Sequence, residues 1–200
     1  MSLARPAMEG RLDADLDRFC LERVRRGEPE GATELFRRYS EPILRYADRL
    51  LGSRAEAEDV TQEVFLKAIV RVEQYDGRAP VASWLFAIAA NACRDRLRKS
   101  GRRASVPLES VAEPTSPGPS PDRVLVESER RRLVRRALAA LSDEQREALV
   151  LARFHGMPYI EIARTLEISE GAVKTRIFRA MEKLKDVFSE GDSSWTAATP

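Results

Sequence analysis

Cysteine and histidine are nearly missing from this 200-residue chain, which has two of the first and one of the second. Cys20 and Cys93 each stand alone inside apolar helical patterns, so buried reduced thiols are expected rather than a disulfide, and the two form no zinc spacing. His155 precedes Gly156 at an expected helix end, where a capping or surface role is expected. One histidine builds neither a histidine triad nor a histidine-rich metal site. A Gly-rich phosphate loop is also missing. An enzyme would have to work with carboxylates alone, and the pair Glu58 and Asp59 sits in no metal motif, so neither enzymatic chemistry nor a cofactor is expected. No apolar run approaches the roughly 18 residues of a membrane helix, and MSLARPAMEGRLDADLD lacks a signal peptide's apolar centre. A cytoplasmic chain without membrane insertion is expected. Charge of one sign is missing too: 34 Lys plus Arg oppose 32 Asp plus Glu, for a net +2. Any affinity for nucleic acid must therefore come from local clusters.

What is present is organised around one break. Residues 104–122, ASVPLESVAEPTSPGPSPD, hold five of the eleven prolines, three acids and no base. Proline removes backbone donors and fixes φ, so this stretch reads as a flexible linker. It separates a module of charge +3 (residues 1–103) from one of charge +2 (123–200). Both show apolar residues recurring at three and four with no sustained alternation, which predicts an all-α chain. Helices are expected near 12–26, 31–51, 55–74 and 82–99, then Val124 to Leu141. Ser142 with Gln145 forms a capping box for the next helix, Pro158 starts a short one over Tyr159 to Leu166, and Ser169 caps the last. The end, SEGDSSWTAATP, has no periodicity and reads as a disordered tail.

Three helical faces carry the chemistry. In the last helix Val173, Ile177, Ala180 and Leu184 form an apolar stripe, while Thr175, Phe178 and Arg179 point away, flanked by Lys174 and Arg176. With the short helix before it, this reads as a helix-turn-helix whose second helix fits a DNA major groove. The alternative is a solvated charged helix in a plain bundle. A second face lies on residues 84–98, where Asn91, Arg94 and Arg98 line up at i, i+3 and i+7 opposite an apolar side. Residues 94–103 carry a local +5 that attracts phosphate, although a basic helix end complementing its dipole also explains the arginines. The third face is the helix from Asp59 to Val72. Val60, Val64, Phe65, Ala68, Ile69 and Val72 fill its core side, yet Leu66 and Val70 fall opposite, beside Asp59, Gln62 and Glu63. Such a helix either meets a partner protein with a basic surface or is wholly internal.

EAEDVTQEVFLKA, SWLFAIAANACRDRLRK, the Pro-rich linker, and LSDEQREALVLARFHGMPYIEIARTLEISEGAVKTRIFRAMEKL resemble, in order and spacing, regions 2 and 4 of bacterial sigma factors of the extracytoplasmic-function group. The resemblance implies two small helical domains: region 2 over 12–103, a linker over 104–122, region 4 with its helix-turn-helix over 123–188, and a tail over 189–200. It implies binding to core RNA polymerase through Asp59, Gln62, Glu63 and Phe65. Asn91, with Arg78, Arg94 and Arg98, would read the minus-ten element, whose melted non-template strand places a base in a pocket built by the loop YDGRAPVAS. In that loop Pro80 and Val81 replace more usual polar or aromatic residues. Tyr75 and Trp84 are expected to pack. Lys174, Thr175, Arg176, Phe178 and Arg179 would read the minus-thirty-five element as duplex DNA. An anti-sigma factor is the expected regulator. A free-standing DNA-binding regulator is the competing reading, and the two-faced acidic helix discriminates them.

Overall fold

The helices begin and end where local chemistry dictates. Residues 7–101 and 133–196 are described in a computed structural model, with side chains described over 14–99 and 133–186. The first module is a bundle of α1 (Ala7–Arg25), α2 (Pro29–Leu51), α3 (Arg54–Val70) and α4 (Val81–Gly101), with a 3-10 turn at Val72–Gln74 before α4. Pro29 opens α2, where its missing N–H is not needed, and Gly52 closes it at φ 70°, donating its N–H to the Asp48 carbonyl. Ser53 caps α3 through its side chain. The linker 104–122 and the first part of the helix expected at Val124 to Leu141 lie outside the described residues; the helix's later turns form α5 (133–139).

The second module continues with α6 (Asp143–Phe154), α7 (Tyr159–Leu166) and α8 (Glu170–Thr196). Both bonds of the Ser142 and Gln145 capping box form, at 3.3 and 3.1 Å. Ser169 Oγ accepts the Ala172 N–H at 3.1 Å and caps α8. The helix runs to Thr196, past the expected start of a disordered tail at 189. Adding a residue to an existing helix is far easier than nucleating one, so weak periodicity does not stop it.

Each module buries the stripe its sequence marks. Ile43, Tyr46 and Ala47 of α2, Val60 and Val64 of α3, and Leu85, Ala89 and Cys93 of α4 are buried in the first. Leu151, Ile162, Val173, Ile177 and Ala180 do the same in the second. Both cysteines are buried free thiols. Asp17 of α1 is buried against Arg38 at 2.9 Å and accepts from the Tyr39 hydroxyl, tying α1 to α2. At Gly31 the two helices touch so closely that an added Cβ would lie 2.5 Å from the Cys20 carbonyl oxygen and 2.9 Å from the Val24 nitrogen. Because both obstacles are backbone, Gly31→Ala is expected to destabilise the protein by about 2 kcal/mol, as overpacking does. Urea unfolding checks this, and an unchanged midpoint would show that the helices separate freely.

The modules do not sit apart as independent beads. Glu147 of α6 pairs with Arg94 of α4 at 2.9 Å, and Ser83 of α4 donates to Glu161 of α7 at 2.9 Å. Arg146 donates to the Leu138 and Leu141 carbonyls and, across the junction, to the Leu50 carbonyl at 2.8 Å. Arg49 lies 4.2 Å over the Phe154 ring. His155, expected at the surface or as a cap, does occupy the C-cap of α6, but its ring lies 4.7 Å from Phe86 and 5.9 Å from Tyr46 in the first module.

Burial holds the His155 imidazole down at about 4, and the charges of Arg49 and Arg45 push the same way. An unfolded histidine titrates near 6.5, so below that pH the unfolded chain takes up a proton that the folded chain refuses. The stability is full above about 6.5 and is lost as pH falls toward 4. Glu147, whose carboxyl is pushed up by burial, acts in the opposite sense and is common to the parent and a His155 variant. His155→Gln should therefore lose about 1 to 2 kcal/mol less than the parent between pH 7 and 5 in urea titrations. Equal losses in both would place the acid sensitivity elsewhere.

Candidate functional sites

The outer face of α8 forms as the periodicity predicts. Val173, Ile177 and Ala180 are buried, and Leu184 packs on the core, so Lys174, Thr175, Phe178 and Arg179 point outward. The Phe178 ring is 63% exposed between cations, an arrangement that packing within the chain does not require. Lys174 pairs with Glu170, one turn earlier, at 2.9 Å. Arg176 differs: it is half-buried, and its charge acts on Glu144 and Glu147 of α6. Glu167 takes the left-handed conformation at φ 56° and its N–H returns to the end of α7, which makes the tight turn between the two helices. A helix presented this way can lay Arg and Lys against base edges and phosphates.

On α4, Asn91 and Arg98 are exposed and Arg94 is half-buried. Arg94 Nη1 donates to Asn91 Oδ1 at 2.9 Å while its Nε donates to Glu147. Arg94 is thus brought to the expected strand-binding line but held by the other module, a pairing between residues 53 apart that local pattern cannot reveal. Arg98 pairs with Asp95 and keeps 72% of its side chain in solvent. The loop before α4 is braced from three sides. Arg25 donates to the Val72 and Tyr75 carbonyls, at 3.3 and 2.5 Å. The Tyr75 hydroxyl donates to the Ala79 carbonyl at 2.5 Å, and Asp76 Oδ1 accepts the Arg78 N–H at 3.0 Å. Tyr75 is buried against Trp84, with ring centroids 5.3 Å apart, so both pack as expected. Arg78 stands 89% exposed at the loop's tip.

The α3 face requires two corrections. Phe65, placed on the core side by its periodicity but at the polymerase contact by the resemblance, is 8% exposed and packs tilted against Phe36 with ring centroids 4.8 Å apart, so the core placement holds. Ile69, expected in the core, is 46% exposed. Apolar residues ring this helix almost evenly, so its periodicity does not single out the inward side. What remains outside is a stripe of Asp59, Gln62, Leu66 and Val70, the last two 65% and 82% exposed. Glu63 is half-buried between Lys67, at 2.5 Å, and Arg96 of α4, at 2.8 Å, and these partners hold its carboxyl below the usual range against the opposing effect of burial.

An exposed acidic and apolar helix, a helix with an exposed basic end and a helix-turn-helix therefore stand on one chain. Residues 35–103 match the Sigma-70 region 2 family, and residues 131–184 match the Sigma-70, region 4 family. The chain is 31% identical over 181 residues to the RNA polymerase sigma-H factor of Pseudomonas aeruginosa, covering 86% of this chain and 94% of that protein. It belongs to the extracytoplasmic-function group of the sigma-70 family. Against SigW of Bacillus subtilis, an extracytoplasmic-function sigma factor, identity is 29% over 173 residues, covering 82% of this chain and 92% of that one. Among solved structures, CnrH in complex with the cytosolic domain of CnrY matches with TM-score 0.65 and 28% identity, covering 88% of this chain and 98% of that chain. The sigma factor RpoE in complex with the anti-sigma factor NepR from Bartonella quintana matches with TM-score 0.62 and 26% identity, over 78% and 96%.

This sigma factor is a transcription initiation factor that directs promoter-specific initiation. The region 2 match begins inside α2, so α1 with Asp17 lies ahead of it, while Arg38 and Tyr39, which hold Asp17, fall inside it. Among the described residues no cluster of histidine, cysteine and carboxylate could hold a metal ion, and no helix is long and apolar enough to cross a membrane.

Proposed function

We propose that region 2 spans 12–103, region 4 spans 123–188, and that residues 104–122 tether them while core RNA polymerase holds both on promoter DNA. The polymerase face is the α3 stripe of Asp59, Gln62, Leu66 and Val70, with Glu63 contributing at its edge. The exposure of Leu66 and Val70 beside acids carries the reading, because a free-standing DNA-binding regulator has no use for an apolar acidic strip away from its DNA. Asn91, Arg98 and Arg78 read the melted non-template strand of the minus-ten element, joined by Arg94 once it is released from Glu147. Lys174, Thr175, Phe178 and Arg179 read the minus-thirty-five duplex, with Arg176 at its margin. The chain contributes promoter choice and no bond-making chemistry; catalysis is the polymerase's, and the work is done in the cytoplasm. An anti-sigma factor is the fitting regulator, since RpoE was solved with the anti-sigma factor NepR and CnrH with the cytosolic domain of CnrY.

The experiment is promoter binding and transcription by core polymerase loaded with the chain. Asn91→Ala should cost about 1 to 3 kcal/mol at one minus-ten position and nothing at the others. Equal losses on matched and mismatched promoters would show that Asn91 serves only to hold Arg94.

A further inference from the structure

The loop that carries Arg78 is held from outside the residues that match region 2. Arg25 sits in the last turn of α1, ahead of the match that begins at residue 35. Its Nη2 donates to two carbonyls on one limb of the loop, Val72 at 3.3 Å and Tyr75 at 2.5 Å, and its Nη1 pairs with Glu22 on its own helix. The Val72 carbonyl also accepts the Tyr75 N–H at 3.2 Å, so the guanidinium closes the 3-10 turn from the side. Burial pushes the Tyr75 hydroxyl up, and Arg18, two turns before Arg25 on the same face of α1, opposes that, which puts a second α1 cation beside the same tyrosine.

Tyr75 passes the constraint to the other limb. Its ring packs against Trp84 in the first turn of α4 and its hydroxyl donates to the Ala79 carbonyl at 2.5 Å, so residues 75 and 79 are tied to each other and to α1. Between them the chain turns sharply, with Gly77 in the left-handed region at φ 74° and the Arg78 N–H on Asp76 Oδ1 at 3.0 Å. A charged donor shared by two backbone acceptors is a strong restraint for so short a loop. A loop restrained before its ligand arrives loses little freedom on binding, and supporting residues outside a site raise affinity and selectivity in this way.

We propose that Arg25 is a positioning residue for promoter reading, holding the 72–79 loop from α1 in the shape that meets a base of the melted minus-ten strand. That this loop meets the strand rests on the functional reading above; that Arg25 holds the loop does not. Arg25 itself touches no DNA in this role. Its loss acts through the fraction of loops in the competent shape, which scales the affinity for that one base and leaves the contacts of Asn91 and Arg98 alone.

The test has two readouts. Hydrogen exchange over residues 72–80 of the free chain reports the brace without DNA. Selection by the holoenzyme from a pool of duplexes, each with an unpaired and randomised non-template strand across the minus-ten element, reports base preference position by position. Gly77→Val strains the turn at its left-handed residue and so marks the position that the loop reads. Arg25→Met keeps the aliphatic bulk and removes the donors. It should speed exchange over the loop about tenfold, and lower preference about tenfold at the marked position alone, if the competent loop falls to roughly a tenth. Arg25→Lys, whose ammonium can reach the same two carbonyls, should recover most of both. Should Arg25→Met unfold the end of α1, Tyr75→Phe, which keeps the ring against Trp84 and removes only the bond to Ala79, carries the same expectation. Exchange unmoved by Arg25→Met, or preference lost equally at every position with a fall in the urea midpoint, overturns the proposal and leaves Arg25 a stabilising residue only. Faster exchange with unchanged preference at the marked position overturns the positioning role while the loop stays a reader. If Gly77→Val marks no position, the loop does not read the strand, and the role of Arg25 in promoter choice falls with that reading.

Discussion

Leu66→Ser with Val70→Ser is expected to weaken binding to core RNA polymerase about a hundredfold. Each side chain stands largely in solvent on α3 and gains a partner only when the polymerase covers it. Burying such a residue is worth about 1.5 kcal/mol or more, so losing two removes about 3 kcal/mol, near two decades in Kd. The folded chain should be unaffected, because neither residue contributes to the buried side formed by Val60, Val64, Phe65 and Ala68. Asp59→Lys should lower affinity further through charge reversal, with a loss that shrinks as salt rises. Glu63→Lys is a poorer probe, since it breaks the bridge to Arg96 and perturbs the α3–α4 contact as well as any interface. Titration of labelled core enzyme measures the effect. Unaltered affinity in the double variant would move polymerase docking off α3 and reopen the free-standing regulator.

Much of the fold was legible because its signals are local. The Ser142 and Gln145 box, the Ser169 cap and the bounds of α7 follow from backbone donors needing partners at helix starts. The α8 face was legible because its apolar stripe is narrow, leaving Phe178 no inward option. On α3 the same reasoning was right for Phe65 and wrong for Ile69: with apolar residues on all sides it placed both inward, and only Phe65, packed against Phe36, turns in. For Arg94 and His155 the position on the helix was legible but the partner was not. Their partners, Glu147, Tyr46 and Phe86, lie on the opposite module, and no periodicity within a helix encodes which faces of two modules meet. Glu147 offered one signal, an acid set immediately before the apolar run Ala148 to Leu151, but that alone does not name its partner.

The minus-thirty-five reader separates into residues that hold DNA and residues that choose it. Arg179 and Phe178 stand on the outer face of α8, clear of the core, where a guanidinium can grip guanine and a ring can touch a thymine methyl or sugar. Arg179→Ala is expected to cost about 1 to 3 kcal/mol at one base pair, up to a hundredfold or more in affinity, and to relax selectivity at that position alone. Lys174→Ala should weaken matched and unmatched duplexes alike and reduce the salt slope by about 1, because a lysine on phosphate releases a counterion without reading sequence. The Lys174 loss should be the smaller of the two, since its ammonium already has Glu170 at 2.9 Å and gives up that exposed pair when it turns to DNA. Binding of duplex fragments across a salt series, with single base-pair changes through the element, distinguishes the two behaviours. If Arg179→Ala lowers affinity for every duplex equally while Lys174→Ala alters base preference, the roles are exchanged, and the helix enters the groove rotated toward its Lys174 edge.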